Sequence, residues 1–338
     1  MAREATVGRR GAEALSDYAF EQLDRDNFRR LAPLMRNAFG REASDDYFLW
    51  KFFDNPHGTA IGLMALCPET GVAAGYYGLI PEAYRFGGEV RRVYQATDGM
   101  THSEHRRKGL YRRLCLATYE LPELKRDGFL GVGFSGANLV KPYLEMSWQL
   151  PFHIPFYFRP RVLSRIAMWT RRSASSHRAI IFSPDISEEL VNLVLDSRKT
   201  WSNSLELSPE LVRWRLSNPR IQYESVIDPG VAYAIAYESS GFVFLLDFHE
   251  VEPGAGAAVM HALEARVVAR KLKGILTFSQ RGAPYERKLR RHGFLRNDFG
   301  RGPASYRIPF ITIAKGVDAP FVHLPESWAV TPLDHDAY

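Results

Sequence analysis

Hydrophobic positions in the first third of the chain predict two helices followed by an antiparallel meander. Apolar residues recur at helical spacing over residues 28–39, which Gly40 ends, and over residues 47–52, which follow the capping run Ser44-Asp45-Asp46. From residue 60 the apolar period becomes that of strands, and short Pro and Gly turns favour sequential antiparallel pairing. The predicted strands are residues 60–67, 71–84 and 88–99.

A basic turn joins the third strand to an amphipathic helix. Residues 104–109 read EHRRKG, and apolar positions then repeat at helical spacing from Leu110 to Leu121. A helix N-terminus presents free backbone N–H groups and the positive end of a dipole, and nearby arginines add charged donors. This combination suits a diphosphate, although a solvated basic helix start produces the same pattern.

The order of elements begins again in the second half of the chain. A strand over residues 129–135, a helix over 141–147 and a strand-like run over 148–158 precede the basic, serine-rich stretch 170–178, which we interpret as a linker. Ser44 precedes Trp50 by six residues, Ser208 precedes Trp214 by six, and an Asn-Pro pair follows each tryptophan. Chance similarity of two capped helices would look alike, but the shared order of elements favours an internal duplication.

The predicted fold is therefore α/β, with mixed sheets in two similar modules. Residues 1–23 form a polar lead-in, residues 24–169 the first module and residues 179–338 the second. In the second module we expect helices that begin near Ser187, Ser208, Gly256 and Ala283. Strands are predicted over residues 222–227, 230–237, 242–248 and 274–278.

Composition and charge narrow the classes of function. The chain has 338 residues, of which 46% are hydrophobic and 24% charged, and this balance is typical of a globular protein with room for two domains. A formal net charge of +6 favours an anionic ligand, but no Lys/Arg block interleaved with aromatic residues indicates nucleic acid. Cys67 and Cys115 lie in apolar settings and predict reduced core residues. Without an apolar leader or a run of ~18 apolar residues, we expect a cytoplasmic protein with no membrane span.

These elements and the basic loop resemble the GCN5-related N-acetyltransferase superfamily. Its signature loop, Arg/Gln-x-x-Gly-x-Gly/Ala, is matched by Arg106-Arg107-Lys108-Gly109-Leu110-Tyr111, except that Tyr111 stands where a small residue is usual. A bulky side chain at that position must point away from the diphosphate. The tandem arrangement, the Trp…Asn-Pro and Thr-His-x-x-His-Arg segments and the C-terminal residues 328–336 are similar to two-module acetyltransferases associated with polysaccharide biosynthesis.

The resemblance implies acetyl-CoA, or another acyl-CoA, as co-substrate. The pantetheine arm would lie between two splayed parallel strands, the diphosphate on the backbone of the basic loop, and Asn138 beside the pantetheine or adenine part. Tyr143 stands where the family keeps a phenol that protonates the departing thiolate. The positions implied for binding are Met100, Thr101, His102, Arg106, Arg107, Lys108, Gly109, Leu110, Tyr111 and Asn138.

Other roles for these residues stay open on the sequence alone. Asp98 is the first candidate for the base that deprotonates the amine and Glu104 the second, but a water chain would serve and Asp98 would also fit a turn. Tyr143 would equally suit an apolar core, and Asn138 a helix cap. His102 and His105 lack the spacing of helical zinc ligands and a nearby third ligand, so no metal is expected.

The second module departs from the family at its own loop. Residues 250–256 read EVEPGAG, with glycines and two acids but no arginine. Two carboxylates at close range would repel a diphosphate. The energy of this repulsion would exceed the ~0.3–1 kcal/mol by which a helix dipole stabilises an anion. We expect this module to bind no CoA and to wall an acceptor pocket together with residues 50–58 and 150–159.

The favoured function is acyl transfer from acyl-CoA to an amine, less readily a hydroxyl, of a sugar-derived or similar small acceptor, by a monomer or homodimer. One alternative is an aminoacyl-tRNA-dependent peptidyltransferase of cell-wall synthesis. Such enzymes lack the diphosphate loop that this chain keeps. The other alternative is a non-catalytic ligand-binding protein that retains the fold.

Overall fold

Two mixed sheets and their helices make up the part of the chain that the computed structural model describes, residues 18–171, 180, 182–297 and 307–335. The strands are β1 (Ala19–Gln22), β2 (Ile61–Leu66), β3 (Ala73–Phe86), β4 (Glu89–Thr101), β5 (Phe129–Phe134), β6 (Gln149–Ile154), β7 (Phe156–Pro160), β8 (Phe182–Ser183), β9 (Ser204–Leu205), β10 (Glu224–Asp228), β11 (Ala232–Ser239), β12 (Phe242–Glu250), β13 (Gly274–Phe278), β14 (Leu295–Arg296) and β15 (Ile308–Lys315). The helices are α1 (Leu31–Phe39), α2 (Asp45–Phe52), α3 (Leu110–Tyr119), α4 (Pro122–Lys125), α5 (Val140–Leu144), α6 (Arg161–Arg171), α7 (Glu188–Arg198), α8 (Pro209–Leu216), α9 (Ala257–Ala269) and α10 (Pro284–Arg291).

The two sheets share one plan. The first runs β1-β2-β3-β4-β5-β15-β6, with β9 paired to β3, and the second runs β14-β7-β13-β12-β11-β10-β8. Each has an antiparallel meander, then one parallel step (β4 to β5, β12 to β13), then antiparallel strands. The predicted mixed α/β fold of two similar modules is confirmed. Below, the first module is the first sheet with α1–α5, and the second module is the second sheet with α6–α10.

Local signals account for the first two helices. The Ser44 hydroxyl accepts a hydrogen bond from the Tyr47 amide and caps α2, while α1 ends at Gly40, whose φ of 65° is left-handed. Pro33 is the third residue of α1, where the backbone N–H has no helical partner, so the helix continues through it.

Each sheet contains a strand from the other half of the sequence. Residues 148–158, predicted as one run, divide at Pro155, and β7 joins the second sheet between β13 and β14. The strand β15 returns to the first sheet between β5 and β6. The strands of the two sheets are therefore not divided at the predicted boundary, residues 170–178, because β7 precedes it and β15 follows it. Within that stretch α6 continues to Arg171, and the rest lies outside the described residues.

The N-terminal end also differs from the prediction. Residues 1–17 lie outside the described part, but Ala19–Gln22 form an edge strand on β2 rather than a lead-in. Phe20 and Tyr18 pack against the core of the first sheet, which supplies the burial that four residues of strand need.

The C-terminal segment lies between the two sheets and bonds to both. Gln95 of β4 donates to the Asp334 carbonyl at 2.8 Å, and the Gln280 amide, just after β13, donates to the Val330 carbonyl at 3.2 Å. Trp328, Val330 and Leu333 belong to a buried cluster with residues of both modules. The tail thus ties the modules together.

Two tryptophans make a reciprocal contact between the modules. Trp50 Nε1 donates to the Trp214 carbonyl at 2.7 Å, and Trp214 Nε1 donates to the Trp50 carbonyl at 2.8 Å. The rings stack with centroids 5.1 Å apart. Such exchange is the signature of a two-fold related interface, and it matches the spacing that suggested a duplication. Next to it, Arg215 of α8 reaches Glu82 of β3 in a buried ion pair at 2.8 Å.

Replacing Trp214 by alanine tests how much this contact stabilises the fold. The side chain is 7% exposed, so we expect the free energy of unfolding to fall by about 3–5 kcal/mol, the usual cost of removing a buried tryptophan. Trp169→Ala is the control, because that ring is 75% exposed, and it should change stability by less than about 0.5 kcal/mol. Equilibrium denaturation measures both, and equal costs would contradict the structural role given to Trp214.

Candidate active site

A cleft of about 800 Å³ opens where β4 and β5 separate. The two strands pair in parallel only from Tyr94–Gly131 to Ala96–Gly133. Beyond that point β4 continues along β3, while β5 ends at Phe134. The cleft is lined by β4, by the basic loop with the start of α3, and by the segment from β5 to α5.

A β-bulge places Asp98 in this cleft. Thr97 and Met100 of β4 pair with Gly78 and Tyr76 of β3. Between these pairs, Asp98 and Gly99 of β4 therefore face a single residue of β3. Asp98 has a left-handed φ of 44°, uncommon for a residue with a side chain and typical of functional sites. Lys51 Nζ lies 2.7 Å from Asp98 Oδ2, and the lysine is 1% exposed. Asp98 is therefore held in a buried ion pair, not in a simple turn.

The basic loop is fastened to α1 and to β4, and it lines the cleft. The Ser103 amide donates to Asn37 Oδ1 at 2.7 Å, and Arg106 Nε donates to the Thr101 carbonyl at 3.1 Å. Gly109, with φ 78°, begins α3, whose first turn has neither a side-chain cap nor an acidic residue. These amides and the helix dipole are thus available to an external anion.

Tyr111 points away from the loop and onto the floor of the cleft. Its ring lies over Gly99, where a Cβ would be 2.6 Å from Tyr111 Cε2, so only glycine leaves it room. Its hydroxyl donates to the Tyr143 hydroxyl at 2.8 Å. Burial, with a further contribution from Tyr143, raises the pKa of Tyr111 well above the ordinary value, so it stays protonated as a donor. The bulky residue in the family motif is accommodated in this way.

Most of the predicted site residues line the cleft, namely Asp98, Met100, Thr101, Arg106, Arg107, Gly109, Leu110, Tyr111, Asn138 and Tyr143. His102, Glu104 and Lys108 are not among the lining residues. The His102 amide donates to the Ala74 carbonyl at 2.9 Å and so belongs to the sheet. Glu104 is exposed on a short 3₁₀ turn, Ser103–His105, outside the cleft.

Asn138 and Tyr143 both line the cleft, and Tyr143 also belongs to the buried core of the first sheet. Neither α5 nor the 3₁₀ turn before it, Ala137–Leu139, has a side-chain cap, so Asn138 caps no helix. Tyr143 is 5% exposed yet lines the cleft. Sequence reasoning missed Phe39 and His335, which also line it. Neither carries a local signal, because α1 and the C-terminal tail reach the cleft only through tertiary packing.

Three residues with metal-binding side chains meet beside the loop. Ligand atoms of His102, Glu104 and His105 lie within 4.8 Å of one another, closer than the sequence spacing suggested. His102 Nδ1 accepts a hydrogen bond from the Glu104 amide at 3.4 Å, and His105 Nδ1 contacts the Tyr18 hydroxyl at 2.5 Å. These contacts organise the turn itself.

The corresponding loop of the second module is closed by its own carboxylate. Glu250 Oε2 accepts from the Gly254 amide at 3.0 Å and the Gly256 amide at 3.2 Å, at the start of α9. His292 Nε2 lies 2.8 Å from the same oxygen, and Arg291 pairs with the other. Burial alone would raise the pKa of Glu250, but the hydrogen bonds from His292 and the glycine amides outweigh it and lower the pKa.

A second cavity, of about 580 Å³, lies between the modules and shares Phe39 and Asp98 with the cleft. Its lining from the first module is Met35, Phe39, Arg41, Tyr47 and Asp98, and from the second half of the chain Asn218, Arg220, Ile221, Gln222, Tyr237, Glu238 and Ser239. Residues of both modules therefore line this cavity. The predicted segments 50–58 and 150–159 do not line this cavity.

Comparison with known proteins rests on structure. No family model matches the chain, and no curated protein matches it. The fold is similar to that of a conserved protein of unknown function, a probable N-acyltransferase, from Enterococcus faecalis V583 (TM-score 0.62, 11% identity, 88% of this chain and 73% of that one). The chain has a GCN5-related N-acetyltransferase fold.

Two further solved structures agree. A GCN5-related N-acetyltransferase from Anabaena variabilis ATCC 29413 matches with TM-score 0.60 and 12% identity over 87% of this chain and 72% of that one. A GCN5-related N-acetyltransferase from Kribbella flavida matches with TM-score 0.59 and 10% identity over 88% of this chain and 72% of that one.

In the described residues, no helix combines the length and apolar character needed to cross a bilayer.

Glu250→Gln tests the closed loop. Because the pKa of Glu250 is lowered in the fold, its stabilisation is present above the unfolded-state pKa and is lost as pH falls through the folded-state value. We expect the variant to lose about 1–3 kcal/mol at neutral pH and to depend less on pH below about 5 than the parent. Denaturation at several pH values measures this. The exposed Glu252→Gln is the matched control, and identical behaviour of the two variants would contradict the assignment.

Proposed function

We propose that the chain is an acyltransferase that moves an acyl group, most simply acetyl, from acyl-CoA to an amine. The observation that carries the proposal is the cleft between β4 and β5. Its lining includes the uncapped N-terminus of α3 with Arg106 and Arg107, and it also includes Asp98 and Tyr143. The structurally similar proteins described as N-acetyltransferases support the same activity.

The cleft fits an acyl-CoA in shape and chemistry. Backbone amides of residues 107–111 would hold the diphosphate, with the guanidinium of Arg107 adding charge. The His102 amide donates to the Ala74 carbonyl, so the backbone groups of the preceding residue, Thr101, point away from β3. Arg106 Nε donates to the Thr101 carbonyl, which leaves the Thr101 amide as the group proposed to meet the pantetheine arm. The pantetheine arm would run past Thr101, between the strands, toward Tyr143.

Tyr143 is proposed as the general acid. The amine attacks the thioester carbonyl, a C–N bond forms, the C–S bond breaks, and the CoA sulfur leaves with a proton from the Tyr143 hydroxyl. Tyr111 donates a hydrogen bond to that same oxygen, so it would stabilise the negative charge that develops when Tyr143 gives up its proton. Tyr111 thus acts as a positioning residue for Tyr143.

Asp98 is proposed to orient the attacking amine. Asp98 lines both the cleft proposed for CoA and the cavity between the modules. An acceptor bound in that cavity would therefore meet the thioester beside Asp98. As a carboxylate beside the Lys51 ammonium, Asp98 can accept a hydrogen bond from the amine and, with water, receive its proton. Glu104 lies outside the cleft and is not proposed for this role.

The second module is proposed to shape the acceptor cavity and not to bind CoA. The Glu250 carboxylate already accepts hydrogen bonds from the loop amides that a diphosphate would need. We therefore propose that CoA is kept out because these amides are taken, and also because the carboxylate repels the diphosphate. The sugar-derived acceptor, the association with polysaccharide biosynthesis and the cytoplasmic location stay predictions from the sequence.

Replacing Arg106 and Arg107 by alanine tests the CoA site. Arg106 fixes the loop through Thr101, and Arg107 contributes charge, so we expect the Kd for CoA to rise about tenfold or more. Isothermal titration calorimetry measures it. The control is Arg126→Ala, an exposed arginine paired only with its neighbour Asp127 among the described residues. An unchanged Kd in the double variant would remove the diphosphate from this loop.

Tyr143→Phe tests the acid. We expect kcat for amine-dependent CoA release to fall about 10²-fold or more, with little change in the Kd for CoA, because only the proton donor is lost. Tyr111→Phe should lower kcat less, and Tyr94→Phe, a buried tyrosine outside the cleft, should not change it. Binding of CoA with no turnover of any amine would instead indicate the non-catalytic alternative, and no binding would indicate the peptidyltransferase-like one.

A further inference from the structure

The charges around the cavity between the modules do not cancel. At its inner end, Asp98 is balanced by Lys51 at 2.7 Å. At the rim, Glu238 is balanced by Arg270 at 2.8 Å and lies 3.9 Å from Arg266. Both acidic residues that line the cavity are thus already neutralised by basic residues that do not line it.

The two arginines of the lining are the charges left over. In the part of the chain that the structure describes, no carboxylate lies within ion-pair distance, 4.0 Å, of the Arg41 or Arg220 guanidinium. Both side chains belong to exposed residues at the cavity rim. The cavity therefore presents a net positive rim to whatever enters it.

Arg220 is held in place for recognition. Its guanidinium carbon lies 4.7 Å from the centroid of the Tyr47 ring, and its amide donates to Asn218 Oδ1 at 3.0 Å, which fixes the turn that carries it. A guanidinium stacked on an aromatic face keeps its planar edge of N–H donors for a carboxylate or phosphate. Phe39 and Tyr237 also line the cavity and add aromatic surface to it.

We propose that the acceptor is an amine that also carries an anionic group, a carboxylate or a phosphate, separated from the amine by a flat or compact apolar body. The amine is placed at Asp98, beside the thioester, and the anion at Arg41 and Arg220. The proposal rests on the acyltransferase function above and narrows its substrate class. An amine with several positive charges meets the uncompensated arginines and is disfavoured.

Binding of matched benzylamines to the full chain, saturated with CoA, tests the proposal. The probes are 4-(aminomethyl)benzoate, 4-(aminomethyl)phenylphosphonate, 4-methylbenzylamine and 1,4-bis(aminomethyl)benzene, which keep one ring and one aminomethyl group and differ in the distal group. By isothermal titration calorimetry we expect either anionic probe to bind about tenfold more tightly than the methyl probe, and the dicationic probe to bind most weakly. The relative affinity of the two anionic probes shows which anion fits best.

Variants of Arg41 and Arg220 test whether the preference for anionic probes arises in this cavity. Arg41→Gln with Arg220→Gln should abolish the preference for the anionic probes and leave the affinity for 4-methylbenzylamine within about twofold. Arg126→Gln, exposed and remote from the cavity, should keep the preference. With acetyl-CoA, any anionic probe that is acylated should show a raised KM and a nearly unchanged kcat in the double variant.

The outcomes separate this proposal from the one on which it rests. Titration of CoA alone comes first, and failure of CoA to bind overturns the proposed function together with the acceptor class. If CoA binds, the acceptor class alone is overturned by tightest binding of the methyl or dicationic probe, by no binding of any probe, or by a preference that survives in the double variant.

Discussion

The contact between Trp50 and Trp214 is the constraint on which the rest of the site depends. Each indole donates to the carbonyl of the other residue, so α2 and α8 are held in one relative position. Lys51 follows Trp50 and pairs with Asp98, and Arg215 follows Trp214 and pairs with Glu82. The contact that joins the modules is therefore one residue away from the lysine that pairs with Asp98, and α8 leads into the turn that carries Arg220.

The two modules use one backbone device in opposite ways. A strand, a glycine-containing loop and a helix N-terminus are present in both. At α3 the amides are uncapped and arginines lie beside them, whereas at α9 the carboxylate of Glu250 accepts from the amides of Gly254 and Gly256. At α9 the loop is thus closed as an internal salt-bridged corner. That closure supports the structural role proposed for the second module and the single cleft in which the chemistry is proposed.

Sequence reasoning succeeded where the signal is local and failed where it is not. The caps at Ser44 and Ser208, the meander and the basic loop are written in short stretches, and the structure has them as predicted. The exchange of β7 and β15 between the sheets was not predictable, because both strands are apolar runs whose partners lie far away in sequence. For the same reason the Lys51 partner of Asp98 and the Tyr111 donor of Tyr143 emerged only from packing.

The number of CoA molecules bound per chain tests the central claim most directly, since it asks at once whether the first loop binds and whether the second is closed. Isothermal titration of the full chain with CoA gives this stoichiometry. The account predicts one CoA per chain. Two per chain would contradict the closure of the second loop by Glu250, and none would contradict the assignment of the cleft between β4 and β5.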